Sequence, residues 1–182
     1  LHTTDRDEAN RDGFLEPLRH ATGVWFGGGR QWRLVDAYGR TSTWAAFHEV
    51  LRRGGVIGGS SAGATIQGDY LVRGNPLGNR QMTAEGYERG FAFLPGVAID
   101  QHFSQRRRQS DMEALIQTFP QLLGIGIDES TALVVRGATA RVIGTNSVHF
   151  FDGSTEEHSD HPQVAKIRPG EAYDLQRRML IE

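Results

Sequence analysis

The chain has 182 residues, the size of one ordinary domain, and its 22 acidic and 20 basic side chains leave a net charge of −2. That balance speaks against a nucleic-acid module, which carries a basic face, and no apolar run approaches the ~20 residues of a membrane span. The absence of cysteine removes disulfide frameworks, thiolate zinc sites and cysteine nucleophiles together.

Asp5 to Arg19 reads as a helix leading into a first β-prone run, Thr22 to Phe26, which stops at Gly27-Gly28-Gly29. A short apolar run ending in glycines suits a buried parallel strand that feeds a loop at its carboxyl end. Helices follow at Gln31–Tyr38 and Thr43–Arg53, the second closed by Gly54-Gly55. Val56-Ile57-Gly58 is a short strand, and Ala62 to Asp69 reads as a helix beyond a sharp turn. Residues 73–96 hold several glycines and two prolines with little periodicity, as a loop at the edge of a site would. A strand at 97–100, a helix at 105–119 and strands at 123–127 and 131–136 come next. Residues 139–151 alternate like a hairpin, and the polar tail has room for one or two short strands. The pattern predicts a single α/β domain over 1–182, with a mostly parallel sheet flanked by helices and an antiparallel C-terminal annex.

Clustered glycines inside an ordinary composition mark tight functional turns. Gly59-Ser60-Ser61-Ala62-Gly63 fits the nucleophile-elbow pattern between a strand and a helix, with Ser61 as the nucleophile. The pattern alone fits a plain glycine-rich turn equally well. A second element supports the catalytic reading: Asp100-Gln101-His102-Phe103 begins where a strand ends, and His102 is expected at the same carboxyl edge as Ser61. A third is Asp128-Glu129-Ser130, which follows strand 123–127 and supplies an acid. Ser, His and an acid at three strand ends make a nucleophile, its base and the group orienting that base, with Asp128 and Asp100 competing with Glu129 for the last role. The bland alternative leaves His102 as a packing residue and Glu129 in a solvated turn.

The Gly27–Gln31 loop lacks the P-loop ending and the dinucleotide spacing. Its better use is an N–H from Gly28 or Gly29 that completes an oxyanion hole with Ala62. Gln31 either faces the cleft or sits in water at a helix start. Arg107 reads as solvated, whereas Arg106 or Arg108 is placed to clamp a substrate carboxylate. Lys166 is the only lysine, and an arginine bias suits carboxylate recognition, although genome composition produces it too. Glu156 to His161 has metal-ligand residue types without a helical His-x-x-x-His spacing, and no metal is expected. His48 and His149 read as structural.

The blocks Gly27–Gln31, Gly58–Ala64, Asp100–Arg106 and Gly126–Glu129 together resemble cyanophycinase and its relatives, the serine peptidase family (peptidase family S51) that also contains aspartyl dipeptidase, or peptidase E. The resemblance implies a class I glutamine amidotransferase-like (flavodoxin-like) fold, a Ser61–His102–Glu129 triad and no cofactor. It also implies substrate contacts from Gln31, Asp100, Gln101, Arg106 and Arg108. The expected reaction is hydrolysis of β-aspartyl-arginine or related aspartyl isopeptide bonds through an acyl-enzyme. The alternatives are an α-aspartyl dipeptidase, a non-peptidase member that binds aspartate-rich peptides, and an esterase or acyl transferase on the same elbow. Asp111 stands where the family carries a further Arg, which bears on strict cyanophycin specificity. The expected partner is an aspartyl peptide, with neither nucleic acid nor membrane. The expected assembly is a homodimer, or a pairing with a separate chain that carries the N-terminal strands the family has and this sequence lacks. The chain opens on Leu1-His2-Thr3-Thr4 without Met or a signal segment, so a cytoplasmic location is expected and secretion stays open.

Overall fold

Four-residue apolar segments that stop at glycine build the parallel pair from which the serine turn springs. Strand β1 (Gly23–Phe26) pairs with β2 (Val56–Gly59) from Gly23 opposite Val56 to Phe26 opposite Gly59. The computed structural model describes residues 1–154 and 161–181, and these fall into two units, Leu1–Pro95 and Gly96–Glu182.

In the first unit, residues 5–19 divide into a single 3-10 turn (Glu8–Asn10) and helix α1 (Asp12–His20). Helices α2 (Gln31–Tyr38) and α3 (Ser42–Arg52) lie where the sequence puts them. Thr41 starts α3 by accepting the Trp44 N–H at 3.2 Å, which satisfies one of the amides a helix start leaves open. Phe26 is the hub of an aromatic core, with ring centroids 5.0 Å from Phe47, 5.6 Å from Phe91 and 5.9 Å from Phe93. Leu18, Ala37, Tyr38, Ile66 and Leu71 fill the space around it. Helix α4 (Ala62–Thr65) is one turn long, not the eight residues its composition suggests. The carbonyls of Ile66, Gln67 and Gly68 accept the N–H groups of Phe91, Leu94 and Ala92, which draws the chain into strand β3 (Gly68–Tyr70). Tertiary pairing overrides local helix preference there.

Strand β4 (Leu94–Gln101) enters the second unit at Gly96, and it runs parallel with β5 (Leu123–Ile127), in register from Val97 opposite Leu123 to Gln101 opposite Ile127, with α5 (Gln109–Thr118) between them in sequence. Strands β6 (Thr131–Arg136) and β7 (Thr139–Gly144) form a hairpin around Gly137-Ala138. Residues 139–151 are therefore not a hairpin of their own. Strand β8 (Val148–Asp152) leaves β7 and pairs antiparallel with β5, then with β9 (Gln163–Ile167). All five β8 residues are buried, which removes the alternation a hairpin arm would show. The tail adds β10 (Ala172–Asp174) and β11 (Met179–Ile181) to the β6–β7 sheet, so it carries three strands where one or two were expected. The architecture is α/β with open sheets, parallel at β1–β2 and β4–β5 and antiparallel elsewhere among the pairs described.

One contact in this unit fixes the start of the loop after β4. A β-carbon on Gly126 would lie 2.5 Å from the Phe103 ring, so the ring can rest on β5 only because residue 126 has none. The fully buried Phe103 ring anchors the backbone that carries His102 and Ser104. Gly126→Ala forces that ring off the strand and is expected to cost about 1–3 kcal/mol, read as a lower urea midpoint at unchanged m-value.

Candidate active site

At the end of β2 the chain reverses through Ser60 and Ser61 into α4. Ser61 has φ 53° and ψ −119°, a conformation that costs a non-glycine residue about 1–3 kcal/mol. The turn is held by the Ser60 N–H donating to the Phe26 carbonyl at 3.1 Å and the Gly63 N–H to the Ser60 carbonyl at 2.9 Å. A β-carbon on Gly63 would strike the Phe26 carbonyl, and one on Gly59 would strike that of Gly63. Both glycines are required by close backbone approach. The Gly27–Gly29 loop runs past the serine: a β-carbon placed on Gly28 would lie 3.5 Å from Ser61 Cβ and 3.9 Å from its Oγ. Gln31, at the first position of α2, is buried and directs Nε2 toward the Val72 carbonyl at 3.4 Å.

In the second unit, β4 delivers His102 in a left-handed conformation, φ 52°. Its Nδ1 lies 2.7 Å from Glu129 Oε1. Of the three carboxylates open to this role, Glu129 is the one on the ring nitrogen. The Glu129 N–H donates to Gln105 Oε1 at 3.0 Å, and Asn146 Nδ2 donates to the Glu129 carbonyl at 2.9 Å, which together pin the residue's backbone.

Asp128 takes a different part. It is buried, and its two oxygens accept the Ser104 N–H at 3.0 Å and the Ser147 N–H at 3.3 Å. His149 Nε2 lies 3.5 Å from Asp128 Oδ2 and 3.3 Å from Ser104 Oγ. Ser104, His149 and Asp128 have the composition of a triad without its wiring, because one ring nitrogen faces both partners. Burial pushes the Asp128 carboxyl upward, but the hydrogen bonds from Ser104 and Ser147 and the neighbouring His149 outweigh it and hold the group below its ordinary range. Burial pushes the His149 imidazole down, against the pull of Asp128 and with the help of Lys166.

Asp100 and Arg108 are both buried and bonded to each other, Nη1 to Oδ1 at 2.5 Å, and Arg108 also donates to the Gln101 carbonyl at 2.8 Å. Gln101 is buried, with Oε1 unpartnered among the described residues. Arg106 is exposed and makes no ion pair among the described residues. Asp111 lies in the first turn of α5, where a negative charge faces the helix's positive end. His48 directs Nε2 to the Phe91 carbonyl at 2.8 Å within the first unit. The segment from Glu156 to Asp160 lies outside the described residues. Sequence reasoning passed over Gln105 and Asn146, which brace Glu129, since a neutral amide in a polar stretch carries no signal of its partner.

The model of Peptidase family S51 matches residues 1–143. The chain belongs to that family. It is 32% identical to the cyanophycinase of Synechococcus elongatus over 97% of this chain and 56% of that one, and 30% identical to the cyanophycinase of Geminocystis herdmanii over 99% and 67%. The chain thus spans a little over half the length of the first of these relatives. Among solved structures, a peptidase from an acI-B1 Actinobacterium aligns at 27% identity and a TM-score of 0.67, over 93% of this chain and 66% of the other. A putative peptidase E protein from Listeria monocytogenes EGD-e aligns at 17% identity and a TM-score of 0.56 over 72% of this chain and 64% of that one, a likeness of fold.

The Asp128–His149 pair gives a stability profile of definite sign. Both groups bind protons more readily in the unfolded chain, so stability rises with pH. Acidification below the imidazole's ordinary 6.5 starts to penalise the fold through His149, and the Asp128 contribution is lost below the ordinary 3.8, as pH falls through its lowered folded value. The urea midpoint is expected to decline from pH 7 to pH 5 and again below pH ~4, and His149→Gln is expected to flatten the first decline.

Proposed function

We propose that this family S51 chain acts as a serine peptidase that hydrolyses β-aspartyl-arginine or a closely related aspartyl isopeptide bond. The observation that carries the proposal is the 2.7 Å contact of His102 Nδ1 with Glu129 Oε1, which leaves Nε2 as the nitrogen for a nucleophile. Ser61 in its strained turn is the assigned nucleophile, and kinship with cyanophycinases supports the substrate class.

In this reading Ser61 Oγ attacks the scissile carbonyl while His102 Nε2 takes its proton. Glu129 fixes the ring tautomer and stabilises the imidazolium that forms. The oxyanion is received by N–H groups of Ala62 and of Gly28 or Gly29. The imidazolium then protonates the departing amine, leaving an acyl-Ser61 that water hydrolyses with His102 again as base. The scheme needs no cofactor or metal. Arg106 is assigned the substrate's aspartyl carboxylate, because Arg108 already faces Asp100. Gln101 Oε1 is assigned a substrate N–H, and Gln31, Asp100 and Arg108 are assigned to substrate recognition as well.

Incubation with cyanophycin, β-Asp-Arg and α-Asp-Arg, with products identified by mass, tests the substrate class: cleavage of the β-linked compounds is expected, and cleavage of the α-linked one alone would overturn it. Ser61→Ala is expected to abolish acyl-enzyme formation with the fold intact, whereas Ser60→Ala is much milder. Glu129→Gln should lower kcat by about two to four orders of magnitude with little change in KM. The two arginines should separate cleanly. Arg106→Lys is expected to lose about ten- to a hundred-fold in kcat/KM on aspartyl substrates and little on neutral analogues. Arg108→Met removes the guanidinium facing buried Asp100 and should instead lose about 3–5 kcal/mol of stability, read in urea unfolding.

A further inference from the structure

The three consecutive glycines beside Ser61 pose a mechanical problem. Glycine has the largest conformational freedom to lose, and Gly29 sits at φ +131°, where other residues do not settle. A β-carbon on Gly27 or Gly29 would meet nothing within 4 Å, so side-chain-scale packing does not confine the loop at those two positions. Yet an oxyanion donor must be fixed before the charge develops if it is to stabilise the transition state. Something outside the glycines has to hold them.

Arg30 is bonded where such a brace is needed. Its Nη2 donates to the Asn75 carbonyl at 2.6 Å and to the Gly78 carbonyl at 2.8 Å, and Nε is buried with no acceptor among the described residues. The turn it grips is stiff in its own right. Asn75 Oδ1 accepts the Leu77 N–H at 2.9 Å, the Gly78 N–H reaches the Asn75 carbonyl at 3.3 Å, and Asn75 Nδ2 donates to Gln81 Oε1 at 2.5 Å. Buried Arg73 secures the far side through the Asn79 and Arg80 carbonyls, at 3.1 and 3.0 Å. We infer that Arg30 is a positioning residue for the serine site: by tying the glycine loop to the 75–78 turn it holds Gly28 against Ser61. The inference rests on Ser61 as nucleophile and on Gly28 or Gly29 as oxyanion donor.

The chemistry of the clamp sets the test. Both bonds leave the same nitrogen, Nη2, so one ammonium can replace them, unlike at a forked carboxylate site. Arg30→Lys should therefore rescue what Arg30→Met loses. The probe is a small alkyl fluorophosphonate, which forms an Oγ–P bond as fluoride leaves and needs no knowledge of the natural substrate. Arg30→Met is expected to lower the maximal inactivation rate at least about ten-fold with the probe's half-saturating concentration little changed, as a displaced oxyanion donor would. Arg30→Lys should recover most of the rate, and Asn75→Ala, which loosens the gripped turn, should fall between. Amide hydrogen exchange at Gly28 and Gly29 should rise in the same order, with the melting temperature close to that of the parent. An unchanged rate and unchanged exchange in Arg30→Met would overturn the inference, as would a loss that Lys fails to recover. Failure of the parent protein to label at Ser61 would overturn the peptidase reading instead, and the exchange data would still report whether the clamp exists.

Discussion

The carbonyl of Phe26 is the constraint around which the serine turn is built. It accepts the Ser60 N–H at 3.1 Å, and it lies so close to Gly63 that any side chain there would collide with it. The ring of the same residue is the hub of the first unit's aromatic core. One residue thus joins the aromatic core of that unit to the turn in which Ser61 takes φ 53°. Strained conformations persist only where the surroundings over-determine them, and a carbonyl held by a packed aromatic strand end does this for Ser61. The two glycines allow the approach, and the core supplies the free energy that holds it.

The second unit shows two adjacent carboxylates put to opposite uses by burial. Asp128 turns inward, accepts main-chain N–H groups from Ser104 and Ser147, and fixes the loop that follows β4 to the end of β5. Glu129 turns outward onto His102 and is braced from behind by Gln105 and Asn146. The Phe103 ring, resting on Gly126, locks the backbone between His102 and Ser104. A histidine presented from a left-handed residue would otherwise have several orientations open to it. Ser104, one residue beyond that ring, is tied in turn by its N–H to Asp128.

The arginines explain themselves once their partners are seen. Arg30 and Arg73 bind pairs of loop carbonyls, Arg108 binds Asp100, and Arg178 binds Asp152 at 2.6 Å and the Gln121 carbonyl at 2.7 Å. A guanidinium satisfies several acceptors from one planar group and is weakly hydrated, so it closes irregular loops that lack a backbone ladder. These four arginines are therefore structural cross-links. Arg106, like its neighbour Arg107, lies exposed at the surface.

By itself the sequence determined the alternation of strands and helices, since apolar runs ending in glycine and helical spacing at 31–38 and 43–53 are local properties. It marked Ser61, between Gly59 and Gly63, as the centre of a tight glycine-rich turn, and it set a histidine and two carboxylates after later strands. Tertiary structure alone decided which carboxylate reaches His102, because Asp128 and Glu129 are chemically alike and differ only in the side to which β5 turns them. It decided too that the run at 62–69 stops after one helical turn and that β8 joins β5, since both follow from hydrogen bonds to segments distant in sequence. Arg108, alike in type to Arg106 and two residues from it, is drawn inward by an aspartate eight residues upstream, a pairing that spacing cannot reveal. Arg30 carries no mark in the sequence for the same reason: its acceptors are backbone carbonyls, which every residue possesses, and only the fold selects which two it meets.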